Sequence, residues 1–433
     1  MTLLSKAIRS ILVAGLCSTA AIANAGLLEN VYQKALQNDP QLKFAEATFR
    51  SNKEVLNQAK SVLLPSVNAT AGSSYIDSTY KSYNNHGYTV SLVQPIFSAQ
   101  KWFTYQQGKI VDQQAQLSFD LAQQNLILRT VETYLNVLRA QSNLGTAEAQ
   151  ERAIKRRLDQ VNAQFDVGLI AITDVHEAQA SYDNARVSLI EAEGALDNSY
   201  EALERLTGES FTQVDILKAD YPVQTIEPTT PDQWMKKALE GNLGLRLAAL
   251  NIDVAQQSAK IARAGHYPTV DLNATHDYDK GTASTDFSVR SNVVGVTLNV
   301  PLFQGGAISS KSRQAYAQLD ASMQSHEDSL RALKQSTRSL LRDLKTNVLS
   351  VNARKQSIVS SQAALDATSE GFNVGTRNVV DVLTAEQSLY AAQRDYANAR
   401  LDYVLNLFKF KQTVGTLAPE DLLGLDEWLT PKS

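Results

Sequence analysis

Few residues of this chain have the type and spacing that chemistry requires. Five histidines occur, at positions 86, 176, 266, 276 and 326. None of them begins a His-Glu-x-x-His pattern, which is the spacing of a helical zinc site. The sequence also lacks a glycine-rich phosphate loop and a Gly-x-Ser-x-Gly nucleophile turn. We therefore expect no enzyme, no cofactor and no metal site.

The remaining candidates are charged residues that follow two short Val-Gly turns. Asp174 follows Val167-Gly168, while Arg377 and Asp381 follow Val374-Gly375. At these positions Asp174 and Arg377 could form an ion pair between the two turns. A plainer interpretation makes these residues N-caps of the helices that follow: Thr173 or Asp174 for the first helix, and Asp381 for the second. The same aspartate can act as an N-cap and form an ion pair.

The two turns belong to a long internal repeat. Phe165-Asp-Val-Gly168 recurs 207 residues later as Phe372-Asn-Val-Gly375, and Pro65-Ser-Val recurs as Pro268-Thr-Val. Matching segments keep almost the same offset, so both halves share one order of elements. A repeat of this length predicts two similar units that pack beside each other.

Proline placement predicts two very long helices. No proline occurs for more than 100 residues after Pro95, or for more than 100 residues after Pro301, and proline costs a helix interior about 3 kcal/mol. We predict helices over 98–166 and 306–373, each about 100 Å long at ~1.5 Å per residue. The helices that return from the Val-Gly tips are predicted over 173–206 and 381–412.

The first returning helix carries two stripes with a seven-residue period. Small residues form one seam, at Ala178, Ser181, Ala185, Ser188, Ala192, Ala195, Ser199 and Ala202. The second stripe contains Tyr182, Leu189, Leu196 and Leu203. A helix with two seams has a neighbour on each side, which favours a closed tube of helices. A thick helical bundle is the alternative.

Strand-like segments with alternating apolar and polar residues lie between the helices. They are predicted over 66–78, 87–97, 269–279 and 286–302. Four prolines mark the strand–helix junctions, at Pro65, Pro95, Pro268 and Pro301. Such alternation is typical of a half-buried strand or of a strand in an outer-membrane barrel. Four strands are too few to close a barrel, so several chains would have to contribute.

The domain plan follows from these elements. The first helix of each unit is predicted over 28–63 and 233–265. The two repeats then span 26–208 and 233–415, with a linker at 209–232 and a tail at 416–433. Because the linker and the tail show little periodicity, we expect them to form a belt around the middle of the molecule.

The first 25 residues read as a cleaved signal peptide. Lys6 and Arg9 precede an apolar stretch, and Ala23-Asn-Ala25 fits the small-x-small cleavage rule. Cys17, the only cysteine, follows the bulky Leu16, which disfavours lipidation. Removing Lys6 and Arg9 leaves 39 basic against 45 acidic residues, a balance that argues against a nucleic-acid partner.

Together these segments resemble the TolC family of outer-membrane efflux and secretion ducts, over nearly the whole mature chain. The resemblance is carried by Tyr32-Gln-Lys-Ala-Leu, Asn38-Asp-Pro40, Leu64-Pro65, Ile96-Phe97, Lys101-Trp102, Val167-Gly-Leu-Ile-Ala-Ile-Thr-Asp-Val175, Val374-Gly-Thr-Arg377 and Val380-Asp-Val-Leu383. It implies a mostly α fold with a small β part: a homotrimeric β-barrel in the outer membrane of a Gram-negative bacterium, continued by a long periplasmic α-helical barrel.

The same resemblance implies a function and partners. Such a duct exports drugs, detergents or secreted proteins, together with a periplasmic adaptor (membrane fusion) protein and an inner-membrane pump or ABC transporter. The sequence does not specify the cargo, because the inner-membrane partners would select it. The competing hypothesis is a periplasmic coiled-coil adaptor or scaffold without a pore, which would not explain the paired strands in both repeats.

The resemblance also implies a gate at the periplasmic tips. The matching gate positions are Thr173, Asp174, Phe372, Arg377 and Asp381. The positions expected to contact the adaptor are Val167, Gly168, Leu169, Val374, Gly375 and Thr376. Three copies of Asp381 would ring the pore and attract cations. Close relatives often have a tyrosine at Phe372 and an aspartate at Thr384, so we expect a weaker or different latch here.

Overall fold

The computed structural model describes residues 27–77, 79–80, 82–228, 230–281 and 288–431. The predicted signal peptide, 1–25, lies outside the described residues. So do position 78 of the first predicted strand, positions 286 and 287 of the fourth, and the last two positions of the tail.

The first half of the chain forms one run of helices and strands. Its elements are α1 (Leu27–Asn38), α2 (Pro40–Ser61), β1 (Ser66–Ile76), β2 (Tyr83–Ser98), α3 (Ala99–Asp166) and α4 (Ile172–Thr207), followed by the short β3 (Ile216–Leu217). The second half repeats this order with α5 (Pro231–Gly241), α6 (Leu243–Ala264), β4 (Thr269–Lys280), β5 (Ser288–Asn299), α7 (Ala307–Asn373) and α8 (Val379–Val414). The chain then forms α9 (Pro419–Asp426) and β6 (Leu429–Thr430). The mostly helical, duplicated fold predicted from the sequence is confirmed.

The first predicted helix of each unit is wrong as a single helix, because each is two helices with a break. Asp39 ends α1 and caps α2, since its side chain accepts the N–H of Leu42 at 2.8 Å and Pro40 takes the first helical position. Asn242 has the same role before α6, where its side chain accepts the N–H of Leu245 at 2.8 Å. A capping side chain therefore starts a new helix at both breaks.

The two long helices, α3 and α7, organise the packing. They contain 68 and 67 residues, which corresponds to about 100 Å each. Helices α2, α4, α6 and α8 all pack along α3, and α6 and α8 also pack along α7, so the contacts of α3 with α6 and α8 join the two units. Among the described helices, none is long and apolar enough to cross a membrane.

The four long strands form one antiparallel sheet in the order β1-β2-β4-β5. Strand β2 starts at Tyr83, four residues before the predicted start. Pro95 lies inside β2 and not at its junction with α3: the pairing with β4 shifts between Pro95 and Phe97, a bulge that accommodates a residue without an N–H. Pro301 lies in the irregular segment between β5 and α7.

The linker and the tail meet each other as well as the helices. Strand β3 pairs with β6, and Lys218 N–H donates to the carbonyl of Trp428 at 3.0 Å. The buried Tyr134 hydroxyl donates to the carbonyl of Asp215 at 2.9 Å, and the Tyr403 hydroxyl donates to that of Gln224 at 2.7 Å. These bonds fasten the predicted belt to α3 and α8.

Candidate functional site at the helical tips

The first tip is closed by backbone groups alone. Gly168 adopts φ +77°, and the N–H of Leu169 donates to the carbonyl of Gln164 at 2.9 Å, which is the usual glycine-dependent end of a helix. Helix α4 begins at Ile172 with Ala171 as its N-cap, and Ala171 offers no capping side chain. The prediction that Thr173 or Asp174 caps this helix is wrong, since both lie in its first turn.

The second tip repeats this turn and adds a side-chain cap. Gly375 also adopts φ +77°, and the N–H of Thr376 donates to the carbonyl of Gly371 at 2.8 Å. Asn378 is the N-cap of α8: its side chain accepts the N–H of Asp381 at 2.8 Å, while the Asp381 carboxylate accepts the N–H of Asn378 at 3.4 Å. Asp381 is therefore the third residue of a capping box and not the N-cap that the sequence predicted.

Arg377 pairs within its own tip. Its guanidinium Nη1 lies 3.8 Å from Asp381 Oδ2, and 61 and 38% of the two side chains are exposed. Its stem lies against Gly371, where an added Cβ would come within 2.7 Å of the Arg377 Cγ, so only glycine leaves room for it. Within the described part of this chain no ion pair joins Arg377 to Asp174, so the predicted pairing between the tips does not occur inside one chain.

Both tips present exposed apolar side chains. Val167, Leu169 and Val374 are exposed by 70, 74 and 73%. Gly168 lies between Val167 and Leu169 on the first turn, and Gly375 and Thr376 follow Val374 on the second turn. Exposed apolar groups clustered at a protein's end are typical of a protein–protein contact.

Behind the tips, an apolar cluster joins the two helical hairpins. We call it the tip cluster; its buried members are Ile154, Leu158, Val161, Ala178, Ala185, Val379 and Leu383. Phe372 packs against this cluster, and its ring centroid lies 5.8 Å from the guanidinium carbon of Arg157. The aromatic ring of Phe372, which the sequence predicted to lie at a gate, thus contributes packing and a cation–π contact.

Beside the tip cluster lies an ion pair that the sequence reasoning missed. Arg157 of α3 and Glu386 of α8 meet at 3.1 Å, with only 14 and 8% of their side chains exposed. Arg157 also donates to Gln160 at 2.8 Å. Within the described residues, Arg157 Nε and Glu386 Oε2 have no hydrogen-bond partner. A signal was available, because Glu386 follows Val379 and Leu383 at helical spacing and so interrupts an apolar stripe with a charge.

The negative charge of Glu386 affects a neighbouring phenol. Burial raises the pKa of Tyr390, and the nearby Glu386 carboxylate raises this pKa further. Arg156 and Arg152 oppose the shift with their positive charges. The region behind the tips therefore combines a buried ion pair with a group of basic residues on α3.

Thr384, where the family resemblance led us to expect an aspartate in relatives, forms a side-chain hydrogen bond within its own helix. Its hydroxyl donates to the carbonyl of Val380 at 2.8 Å. Across the described residues, no group of three or more His, Cys, Asp or Glu side chains is arranged to hold a metal. What the tips offer is therefore charge, apolar contact surface and a packed joint between two hairpins.

Comparison with protein families covers both repeats. Residues 31–209 and 234–416 match the model of the family described as outer membrane efflux protein. The chain belongs to this family. The outer membrane efflux protein family is a family of transport ducts, and the two matched segments correspond to the two repeats.

Curated relatives in this family align over most of their length. The chain is 33% identical over 411 residues to outer membrane protein TolC of Vibrio cholerae serotype O1, covering 93% of each. It is 34% identical over 429 residues to TolC of Escherichia coli strain K12, covering 95% of this chain and 86% of that protein. It is 28% identical over 420 residues to the proteases secretion protein PrtF of Dickeya chrysanthemi, covering 93 and 91%.

Solved structures of outer-membrane proteins share the fold. The outer membrane protein VceC from Vibrio cholerae superposes with a TM-score of 0.78 at 18% identity, covering 90% of this chain and 96% of that one. The CmeC outer membrane channel of Campylobacter jejuni gives the same TM-score at 18% identity, covering 96 and 95%. The tips described above thus end a fold shared with known outer-membrane channels.

Proposed function

We propose that this outer-membrane exit duct for efflux and type I secretion works as a homotrimer with a gate at its helical tips. Family membership and the relatives that are named for outer-membrane transport and protease secretion support the duct. The duct lies in the outer membrane and extends into the periplasm. Nothing in these comparisons supports the pore-free adaptor or scaffold considered from the sequence.

The open sheet is the observation that supports the trimer. Strands β1 and β5 lie at the two edges of the four-stranded sheet, and each has a backbone row without a partner strand in the described chain. An unpaired edge of this length attracts another strand. If β5 of one copy pairs with β1 of the next, three copies close a barrel of about twelve strands, and every edge is then satisfied.

The gate proposal rests on the exposed charges of the tips. The pair between Arg377 and Asp381 is exposed at 3.8 Å, and exposed pairs of this kind contribute only about 0–1 kcal/mol. Arg377 can therefore leave Asp381 at little cost and pair with Asp174 of a neighbouring copy. Thr173 and Phe372 flank these charges, and three Asp381 carboxylates around the axis would favour cations.

Partners are proposed from the same end of the molecule. The exposed Val167, Leu169 and Val374 would contact a periplasmic adaptor, which connects the duct to an inner-membrane pump or to an ABC transporter. PrtF and the alkaline protease secretion protein AprF of Pseudomonas aeruginosa are relatives named for protease secretion. In this arrangement the inner-membrane partner selects the cargo.

Conductance in planar lipid bilayers tests the gate. Arg377→Ser removes the proposed latch, so the single-channel conductance should rise while the trimer remains intact in SDS. Arg331→Ser is the matched control, because Arg331 also forms an i,i+4 pair, with Glu327 on α7, far from the tip. A conductance equal to that of the wild type in Arg377→Ser would refute the latch. Recovery of the extracted protein only as a monomer would refute the trimer.

A further inference from the structure

The charged residues of the four long strands are sorted by face. Residues directly opposite each other in an antiparallel pair point to the same side of the sheet. The register places His86 opposite Lys280, Tyr88 opposite Tyr278, and Tyr278 opposite Arg290. All basic strand residues therefore share one face: His86, His276, Lys280 and Arg290. All acidic strand residues share the other: Asp271, Asp277 and Asp279.

The basic residues lie on the apolar face of the sheet. This face also carries Val67, Val90, Leu92, Leu272, Val294, Val296 and Leu298. Most of these side chains are exposed in the single chain, with Val294 exposed by 75%. The opposite face carries the aspartates together with Asn, Ser and Thr side chains, and Thr89 donates to Asp277 at 2.6 Å. In the duct proposed above, the apolar face contacts lipid.

The basic residues are also gathered at one end of that face. On this face, the β4 positions from Val270 to Ala274 and their partners on the neighbouring strands are mainly apolar. His276, Tyr278 and Lys280 follow them along β4. Ten residues of strand span about 33 Å, or roughly 25 Å of height at the usual tilt, which matches the apolar band of an outer-membrane protein. Since the helices leave the opposite end of the sheet, the basic end lies at the external boundary of the membrane.

Aromatic and amide contacts hold two of these side chains, Arg290 and His276, in place. The guanidinium carbon of Arg290 lies 5.6 Å from the ring centroid of Tyr278, and this ring stacks on Tyr88 at 5.4 Å. His276 Nδ1 lies 2.7 Å from Asn292 Oδ1, and its Nε2 lies 3.4 Å from the Tyr88 hydroxyl. Tyrosines at this height are typical of a membrane interface. Among the described strand positions on this face, none carries a carboxylate that would neutralise Lys280 or Arg290, and Asp77, the first residue after β1, accepts a hydrogen bond from the Ser82 hydroxyl.

We propose that this basic end, which we call the outer-leaflet site, binds the phosphate groups of a phosphorylated glycolipid of the outer leaflet, lipopolysaccharide. The site consists of His86, His276, Lys280 and Arg290, supported by Tyr88 and Tyr278. Arg290 supplies the planar donors that suit a phosphate, and Lys280 adds a point charge. The neighbouring valines and leucines contact the acyl chains of the same lipid. The site rests on the proposed orientation of the duct in the membrane, and a trimer would have three of them.

Lipid binding to the purified, detergent-extracted full-length duct tests the site. Lipopolysaccharide, its dephosphorylated form and inorganic phosphate are each added, and bound lipid per protein is counted by native mass spectrometry. We expect the wild type to retain lipopolysaccharide at least tenfold more strongly than the dephosphorylated lipid, with no competition from inorganic phosphate. Lys280→Gln with Arg290→Gln should abolish this preference. The matched control is Lys311→Gln with Arg313→Gln, which removes the same charges from α7 outside the sheet.

Each other outcome overturns the proposal. Equal retention by wild type and the strand variant, or equal retention of the dephosphorylated lipid, would show that apolar contact alone holds the lipid. Competition by inorganic phosphate would indicate a general phosphate site. Conductance of the same variants separates this proposal from the duct itself: a variant that conducts normally without lipid preference refutes only the outer-leaflet site, whereas a wild type that never conducts refutes the proposed function. If the double variant does not assemble, Arg290→Gln alone is measured in the same way.

Discussion

The ion pair between Arg157 and Glu386 gives the sharpest test of how the two hairpins are joined. Glu386→Gln keeps the shape of the side chain and removes its charge. Arg157 then remains ionised with 14% of its side chain exposed, because a guanidinium does not deprotonate in proteins. Leaving one member of a buried pair uncompensated costs about 3–5 kcal/mol. Glutamine still accepts one hydrogen bond, so we expect the lower end, about 3 kcal/mol.

Hydrogen exchange measures this loss where it occurs. Since about 1.4 kcal/mol is a factor of ten, backbone amides in peptides covering 372–390 should exchange roughly 100-fold faster in Glu386→Gln than in the wild type. Glu148→Gln is the control, because Glu148 forms an exposed pair with Arg152 on the same long helix, at 3.6 Å. We expect exchange near residues 148–152 and at the tips to stay unchanged in that variant.

A double variant separates charge from packing. Arg157→Met combined with Glu386→Leu replaces the buried pair by apolar side chains, a change that is often neutral or stabilising. Exchange at 372–390 should therefore return close to the wild-type rate. If Glu386→Gln exchanges like the Glu148→Gln control, the pair does not hold the hairpins together and the reasoning fails.

Two further predictions concern the caps and the belt. Asn378→Ala should cost about 1 kcal/mol and speed exchange only in the first turn of α8, while Ala171→Asn should slow exchange in the first turn of α4 by a comparable amount; equal effects of either change at both tips would contradict the cap assignment. Burial raises the pKa of Asp426, and the negative charges of Asp215 and Glu29 raise it further. The hydrogen bond from the Leu28 N–H lowers this pKa but does not cancel the increase. The folded protein therefore holds this proton more tightly than the unfolded chain, so stability falls as the pH rises from 3.8 through the raised pKa. Asp426→Asn should flatten that dependence and raise the melting temperature at pH 7; an unchanged pH profile would refute the assignment.

The sequence was sufficient for features that depend on local chemistry or on repetition. Gly168 and Gly375 mark the two helix ends because only glycine takes a positive φ there without strain. The repeat gave the order of elements twice, so an uncertain segment in one half could be checked against the other. The long helices could be predicted from the absence of proline, because each proline would disrupt the helix at its own position whatever the tertiary packing.

Features that depend on competition between neighbours were harder to predict. Asp39 and Asn242 break helices that their flanking residues would otherwise continue. Ala171 occupies the N-cap position of α4, although Thr173 and Asp174, whose side chains could form a capping bond, follow it. In each case the geometry of the turn decides which residue takes the cap. The partner of Glu386 depends on how the hairpins pack, because Arg157 lies 229 positions away from it in the sequence.

The belt has a consequence for how the protein is made. Bonds such as that from Lys218 Nζ to the carbonyl of Glu427 join positions 209 residues apart, so β3 has no partner strand until β6 has been exported into the periplasm. During that interval the first repeat is already in the periplasm, but its strand β3 has no partner strand. We therefore expect the unfinished belt to be the part of the chain that periplasmic chaperones and proteases meet first, since long-range pairing is slow and leaves strand edges exposed.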